Sequence, residues 1–228
     1  MADREGVPAV TRPFEDGEPG PLEEEPRRSL ELWDWRRSVA DLYAVVRSLP
    51  PEEGWRRWRA ERDRRFAAHP QSPIPPGKRP SFGGLAYFDY DPGLRALAEV
   101  GPPGVVGPVG LPHSGEGITR ARPMGTAHFE IGGLAAALPV FRLLAYGDGF
   151  FVPFRDLTNG HDTYGGGRYV IDTVKGADLG GAEGIIVLDF NFSYHPSCVY
   201  DPSWSCPLAP QDSNLPFEMR AGERLGPR

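Results

Sequence analysis

The chain is almost without lysine. Lys78 and Lys175 are its only two, and the other 23 basic residues are arginine. That bias reads as codon usage in a GC-rich genome rather than as chemistry. Cysteine is nearly as scarce: Cys198 and Cys206 stand alone. Two thiols exclude a disulfide-stapled scaffold and cannot fill a four-ligand structural zinc site. No apolar run approaches the ~20 residues of a membrane-spanning helix. The first residues, MADREGVPAVTRPFEDGEPG, lack a charged start followed by an apolar core, so no secretory signal is expected. A cytoplasmic protein with reduced thiols is the resulting expectation. Excess positive charge is missing as well. The net charge is −6, and residues 1–31 hold nine acids and four arginines, leaving the rest near −1. A nearly neutral body argues against sequence-independent nucleic-acid binding, which needs clustered cations.

Glycine and proline are abundant, 29 and 26 of 228 residues, which points to loops and turns rather than a helix bundle. With 39% hydrophobic residues the chain can bury one domain's core. Residues 1–28 are acidic, Pro/Gly-rich and poor in large apolar side chains. They read as a disordered tail, with partner binding the alternative. Residues 29–80 follow as a helical segment with a Pro-rich connector. Trp35, Val39, Leu42, Val46 and Leu49 fall at helical spacing, with Ser29 as a cap. Pro51 opens a second helix, with Glu52 and Glu53 in its first turn, where the helix dipole favours acids. Trp55, Arg59, Arg62 and Phe66 share a face of it. Two readings stay open for that face: arginine stems packed over aromatics, or an anion- or partner-binding helix.

From residue 81 to 228 the periodicity turns strand-like. Strands are expected at 82–90, 125–131, 136–146, 149–156, 168–174, 184–190 and 215–221, with a Gly-Asp-Gly hairpin turn after residue 146. Residues 101–117 read as a long surface loop. The fold expected is mainly β (α+β): a small antiparallel β-barrel or sandwich preceded by two N-terminal helices.

Two stretches could carry chemistry. FRDLTNGHDTYGGGRY (154–169) places Arg168 directly after three glycines, which permit backbone geometry closed to other residues. Arg168 there is either an anion site or the partner of Asp156 or Asp162 inside the fold. The stretch is neither a P-loop nor a dinucleotide fingerprint, because a strand rather than a helix follows. DFNFSYHPSCVYDPSWSCPLAPQDSNLPFEMRAGE (189–223) holds both cysteines, His195 and repeated prolines, which exclude a regular helix or central strand. His195, Cys198 and Cys206 leave open free thiols, a disulfide, a three-ligand metal site and a catalytic cysteine. No metal is expected on balance, no flavin motif is visible, and no cofactor follows from the residues.

These pieces, with WRAERDRRFAAHPQSPI (58–74) and FGGLAYFDYDP (82–92), resemble domain-of-unknown-function family 1684 over about residues 55–223. The resemblance implies no established activity. The family often carries Asn at the position of His195, and the N-terminal extension lies outside its core. Its motifs fall on Asp156, Thr163, Tyr164, Gly165, Gly166, Gly167 and Arg168, and on Asn191, Cys198, Tyr200, Cys206, Pro207, Asn214 and Glu223. The two groups are expected to meet around one pocket for a small polar or anionic metabolite. Arg168 would hold the anion and Asp156 would orient it. Tyr164, Gly166, Asn191, Cys198, Tyr200, Cys206 and Asn214 would line the site, and Glu223 or Asp156 would act as base if chemistry occurs. Two alternatives stand beside this: an interaction or homodimerisation module without a ligand, and a metal- or flavin-binding barrel.

Overall fold

A computed structural model describes residues 24–145 and 147–226. Two helices, α1 (Glu24–Arg47) and α2 (Pro51–Ala68), precede a curled antiparallel sheet that forms a half-barrel. Helix α1 begins before Ser29, so Ser29 lies inside it rather than capping it, and residues 24–28 are helical rather than tail. The rest of the expected tail, residues 1–23, lies outside the described residues. Helix α2 opens at Pro51 with Glu52 and Glu53 in its first turn, as the dipole favours. No helix among the described residues is long and apolar enough to cross a membrane.

The sheet contains β2 (Arg95–Gly101), β3 (Val109–Pro112), β4 (Ile118–Ile131), β5 (Leu134–Leu143), β6 (Gly149–Phe154), β7 (Arg168–Asp172), β8 (Gly181–Ala182) and β9 (Ile185–Asp189). Its order is β7-β6-β5-β4-β2-β9-β8, with β3 paired to the far end of β4. A separate two-stranded pair joins β1 (Ala86–Tyr87) to β10 (Glu223–Arg224). The β4–β5 hairpin turns on Gly132 and Gly133, both at positive φ (59° and 76°), the geometry that matches the twist of the strands. A bulge at Met124 lets β4 keep its odd residues buried from Ala121 to Ile131 while β5 changes parity from Leu138 and Val140 to Phe141. That switch passes the buried face of the sheet from one core to another.

The first core fills the barrel: Phe129, Leu138, Phe154, Phe190, Leu215 and Met219 are among its members. The second lies between sheet and helices and is rich in aromatics, with Tyr43, Trp55, Trp58, Phe151, Tyr169 and Tyr194. Strand β7 is buried at every residue because it faces both. Its free edge is covered by the C-terminal segment, where Tyr169 and Tyr194 exchange backbone hydrogen bonds of 3.0 and 3.1 Å. Trp58 is 1% exposed and touches Tyr87 and Phe192, while its indole N–H donates to Tyr43 Oη at 3.0 Å. Burying a side chain of that size stabilises by about 3 kcal/mol.

Two expected elements are corrected. Residues 215–221 are not a strand, and the 82–90 strand shrinks to Ala86–Tyr87. Strand β3 lies inside the expected 101–117 loop, and β2 and β8 fall where no strand was expected.

Candidate functional site

Arg168 is the first surprise of the site. It is fully buried. Its guanidinium donates to Asp156 Oδ2 at 2.9 Å, to the Met219 carbonyl at 2.7 Å, to the Glu223 carbonyl at 3.2 Å and to the Ala221 carbonyl. Phe154 stacks beneath it. Burial lowers its pKa, and the Asp156 charge opposes that. Asp156 is equally committed: its other oxygen accepts from Thr158 N and Oγ1 and from Met219 N. This is the internal pairing reading, and it removes Arg168 and Asp156 as an exposed anion anchor and base. The pair instead ties the glycine loop to residues 219–223.

The two motif groups do meet. Tyr164 N–H donates to His195 Nε2 at 3.2 Å, Ala209 N–H to the Gly166 carbonyl at 3.1 Å, and Tyr169 Oη to the Pro207 carbonyl. Since Nε2 accepts, Nδ1 carries the ring's proton, and it lies 3.7 Å from Glu223 Oε1. Glu223 is 1% exposed and sits at the hub. Arg62 Nη2 donates to it at 2.7 Å, His195 N–H at 3.0 Å, and the Tyr200 hydroxyl completes the set. Burial pushes the Glu223 carboxyl up, but Arg62 and His195 outweigh it and the net shift is downward. A carboxylate this fully donated to is a clamp, not a free base.

Asn191 is a staple. It exchanges hydrogen bonds with the backbone of Asp91 at 3.0 and 2.8 Å and is wholly buried. Asn214 is exposed on a bridge to Arg155. Cys198 is half-buried and Cys206 buried, both with free thiols. The three-ligand metal site left open for His195, Cys198 and Cys206 is not formed. His195 Nε2 is occupied, and among the described residues no three His, Cys, Asp or Glu side chains converge. Of the expected residues, Tyr200 and Glu223 do line a cavity of about 270 Å³, with His195, Phe82, Leu85 and Val199.

A second cavity, of about 70 Å³ and also bordered by His195, lies between the helices and the sheet. Its walls include Trp35, Leu42 and Phe66, and three cations face it: Arg62, Arg65 and Lys175. No carboxylate lines it. Arg62 is paired with Glu223 and Lys175 with Asp172, at 2.7 and 3.1 Å. Arg65 is different. It is 6% exposed, donates to the Ser38 carbonyl at 2.6 Å, and leaves its Nε without an acceptor. Among the described residues no carboxylate is in salt-bridge contact with it; burial lowers its pKa, against the charge of Glu61 one turn away. Arg168 Nε is also without an acceptor, but that guanidinium has its counter-ion. Arg65 was not singled out in the sequence. Its signal was the open reading of the second helix as an anion-binding face.

A family model described as protein of unknown function (DUF1684) matches residues 80–224. No curated protein matches the chain. The chain is similar to the solution NMR structure of an uncharacterised protein of Haloarcula marismortui, with 41% identity and a TM-score of 0.55, over 73% of this chain and 90% of that one. With a match over well more than half its length, the chain belongs to the DUF1684 family, whose model begins after α2 and so leaves Arg62 and Arg65 outside.

Proposed function

We propose that this protein binds a small carboxylate in the cavity between its helices and its sheet, with Arg65 as the counter-charge. One observation carries the reading: Arg65, a buried guanidinium whose Nε has no acceptor, is part of the wall of an aromatic cavity that has no acid in its lining. Leaving a buried charge without a partner costs about 3–5 kcal/mol, so such a site favours an incoming anion. The volume sets the size. At roughly 30 Å³ of liquid per water, the space of about 70 Å³ suits two waters, or a carboxylate with one or two carbons behind it. The apolar walls favour an alkyl tail over a fully hydrated inorganic ion. His195, Tyr194 and Ser197 bring the C-terminal motif to the same cavity, so the family's signature contributes to it. The reading is binding rather than catalysis, because the Glu223 carboxylate is already donated to from Arg62, Tyr200 and the His195 backbone, and His195 Nε2 already accepts from Tyr164 N–H.

The test is thermal unfolding and calorimetric titration with acetate, propionate and phosphate at constant ionic strength, on wild type and Arg65→Met. A short carboxylate at a hundredfold its Kd stabilises the wild type by about 2.7 kcal/mol, and Arg65→Met loses that gain while remaining folded. Stabilisation no greater than that of chloride, or a gain that survives in Arg65→Met, would sink the reading.

A further inference from the structure

We propose that a cleft in the sheet, separate from the cavity beneath the helices, binds a small primary ammonium compound with an apolar body, its charge held by Asp212. The cleft arises from a gap in strand pairing. On the edge of β4 away from β5, strand β2 ends with Gly101 opposite Thr126, and β3 begins with Val109 opposite Ala121. Residues 122–125 of β4, which include the bulge, have no strand beside them on that edge. The connection between β2 and β3, residues 102–108, reads PPGVVGP. Its three prolines have no N–H to give to a ladder, so the chain leaves β4 instead of running on along it. The space that remains is about 360 Å³. Small-molecule sites ordinarily span about 300–1,000 Å³.

The wall sets the ligand's body. Val105 from the connection, Val109 and Leu111 from β3, and Pro139 and Phe141 from β5 are among its members. Val106, next to Val105, is 91% exposed. Apolar surface left facing water in this way favours an incoming hydrocarbon. At roughly 30 Å³ of liquid per water, the volume equals that of about twelve waters, which is room for a body of about ten non-hydrogen atoms.

The charge of the ligand follows from the polar groups. Thr126 and Asp212 are the two lining residues whose side chains can hydrogen bond. Asp212 is exposed on the single turn Gln211–Ser213, and among the described residues its carboxylate has no ion pair. No arginine or lysine lines the cleft. A carboxylate ligand would therefore be repelled, and a neutral one would leave Asp212 unpaired. An ammonium group pairs with it, and its three donors can be shared between Asp212 and Thr126. This is the reverse of the helix-side cavity, where three cations face a wall without an acid, and the two sites share no residue.

The experiment is calorimetric titration of the full chain at neutral pH and low ionic strength with 2-phenylethylamine, with 2-phenylethanol of the same shape, and with methylamine, which lacks the body. The proteins are wild type, Asp212→Asn and Ala137→Leu, the last placing a larger side chain at a lining position on β5. Phenylethylamine should bind wild type saturably and roughly tenfold tighter than phenylethanol, the fold-change of one hydrogen bond to a charged group. Methylamine should not bind. Asp212→Asn should bring the amine down to the affinity of the alcohol, and Ala137→Leu should lose both. No saturable amine binding, equal affinity for amine and alcohol, or methylamine as tight as phenylethylamine would overturn the proposal. So would amine binding that either substitution leaves unchanged. Asp212 is exposed, so its variant keeps the fold and decides the matter even where Ala137→Leu does not fold.

Discussion

Two buried arginines with opposite bookkeeping make the sharpest contrast at the scale of single residues. Arg168 has a carboxylate and three backbone carbonyls; Arg65 has one carbonyl and an idle Nε. Replacing each with methionine should therefore give opposite results. Arg168→Met strands Asp156 inside the fold and costs about 3–5 kcal/mol in denaturant unfolding, with no direct effect on the helix-side cavity. Arg65→Met removes a buried charge that has no salt-bridge partner and leaves the ligand-free protein as stable, or up to about 2 kcal/mol more stable. Glu223 gives a pH test. Its folded pKa lies below the usual 4.5, so its contribution is complete above that value and fades as pH falls through the lower, folded pKa. Glu223→Gln should lose about 3 kcal/mol at pH 7 by leaving Arg62 unpaired. The gap from wild type should close below pH 4.5, as measured by urea unfolding at both ends of that range. A gap unchanged down to pH 3 would mean that the charge is not what Arg62 and His195 are holding.

Among the elements, what the sequence revealed and what it hid follow from which side chains face inward. The two helices were legible because Trp, Phe and Leu recur at helical spacing, and the 136–156 hairpin because a Gly-Asp-Gly turn separates two apolar runs. Strand β2 was hidden because its pattern is inverted: Ala96 and Ala98 are buried, while Leu97 is 65% exposed. The expected strand at 215–221 failed for a subtler reason. Leu215, Met219 and Ala221 do alternate into the core, but the carbonyls of Met219 and Ala221 are spent on Arg168 rather than on a neighbouring strand. That same wrap decided the site: whether Arg168 meets a ligand or its own backbone depends on how residues 219–223 fold back, which no local pattern encodes. The glycine run was rightly noticed, yet its members differ. Gly167 has φ +94°, and an added Cβ would lie 2.6 Å from the Phe154 carbonyl and 2.7 Å from Ala209 Cβ. Gly165 has open space at that point and no positive φ. Gly167→Ala is expected to cost more than about 2 kcal/mol, and Gly165→Ala to be neutral or stabilising by up to about 1 kcal/mol. Thermal unfolding of the two variants side by side checks the assignment.

For the molecule as a whole, the two helices that precede the family model's match at residues 80–224 have to be held to the half-barrel that the match covers. Most of α1's packing is against α2, and α2 reaches the body through a few buried anchors. Trp55 N–H donates to the Asn191 carbonyl at 3.0 Å, Arg62 pairs with Glu223, and Trp58 fills the space between Tyr43 on one side and Tyr87 and Phe192 on the other. Trp58 touches both helices and the body at once. Its loss to alanine should cost about 3–5 kcal/mol, and the damage should be polarised. The barrel core of Phe129, Phe154, Phe190 and Leu215 does not include it, so the sheet should persist while residues 24–80 loosen. The expected readout is rapid proteolysis confined to residues 24–80, with the β signal in far-ultraviolet circular dichroism retained. Carboxylate binding should disappear in the same variant, because Arg62, Arg65 and Trp35 leave the cavity together while Lys175, Tyr194 and His195 stay. If the helices came loose and binding survived, the site would belong to the sheet alone, and the cavity of about 270 Å³ beside Glu223 would become the place to look.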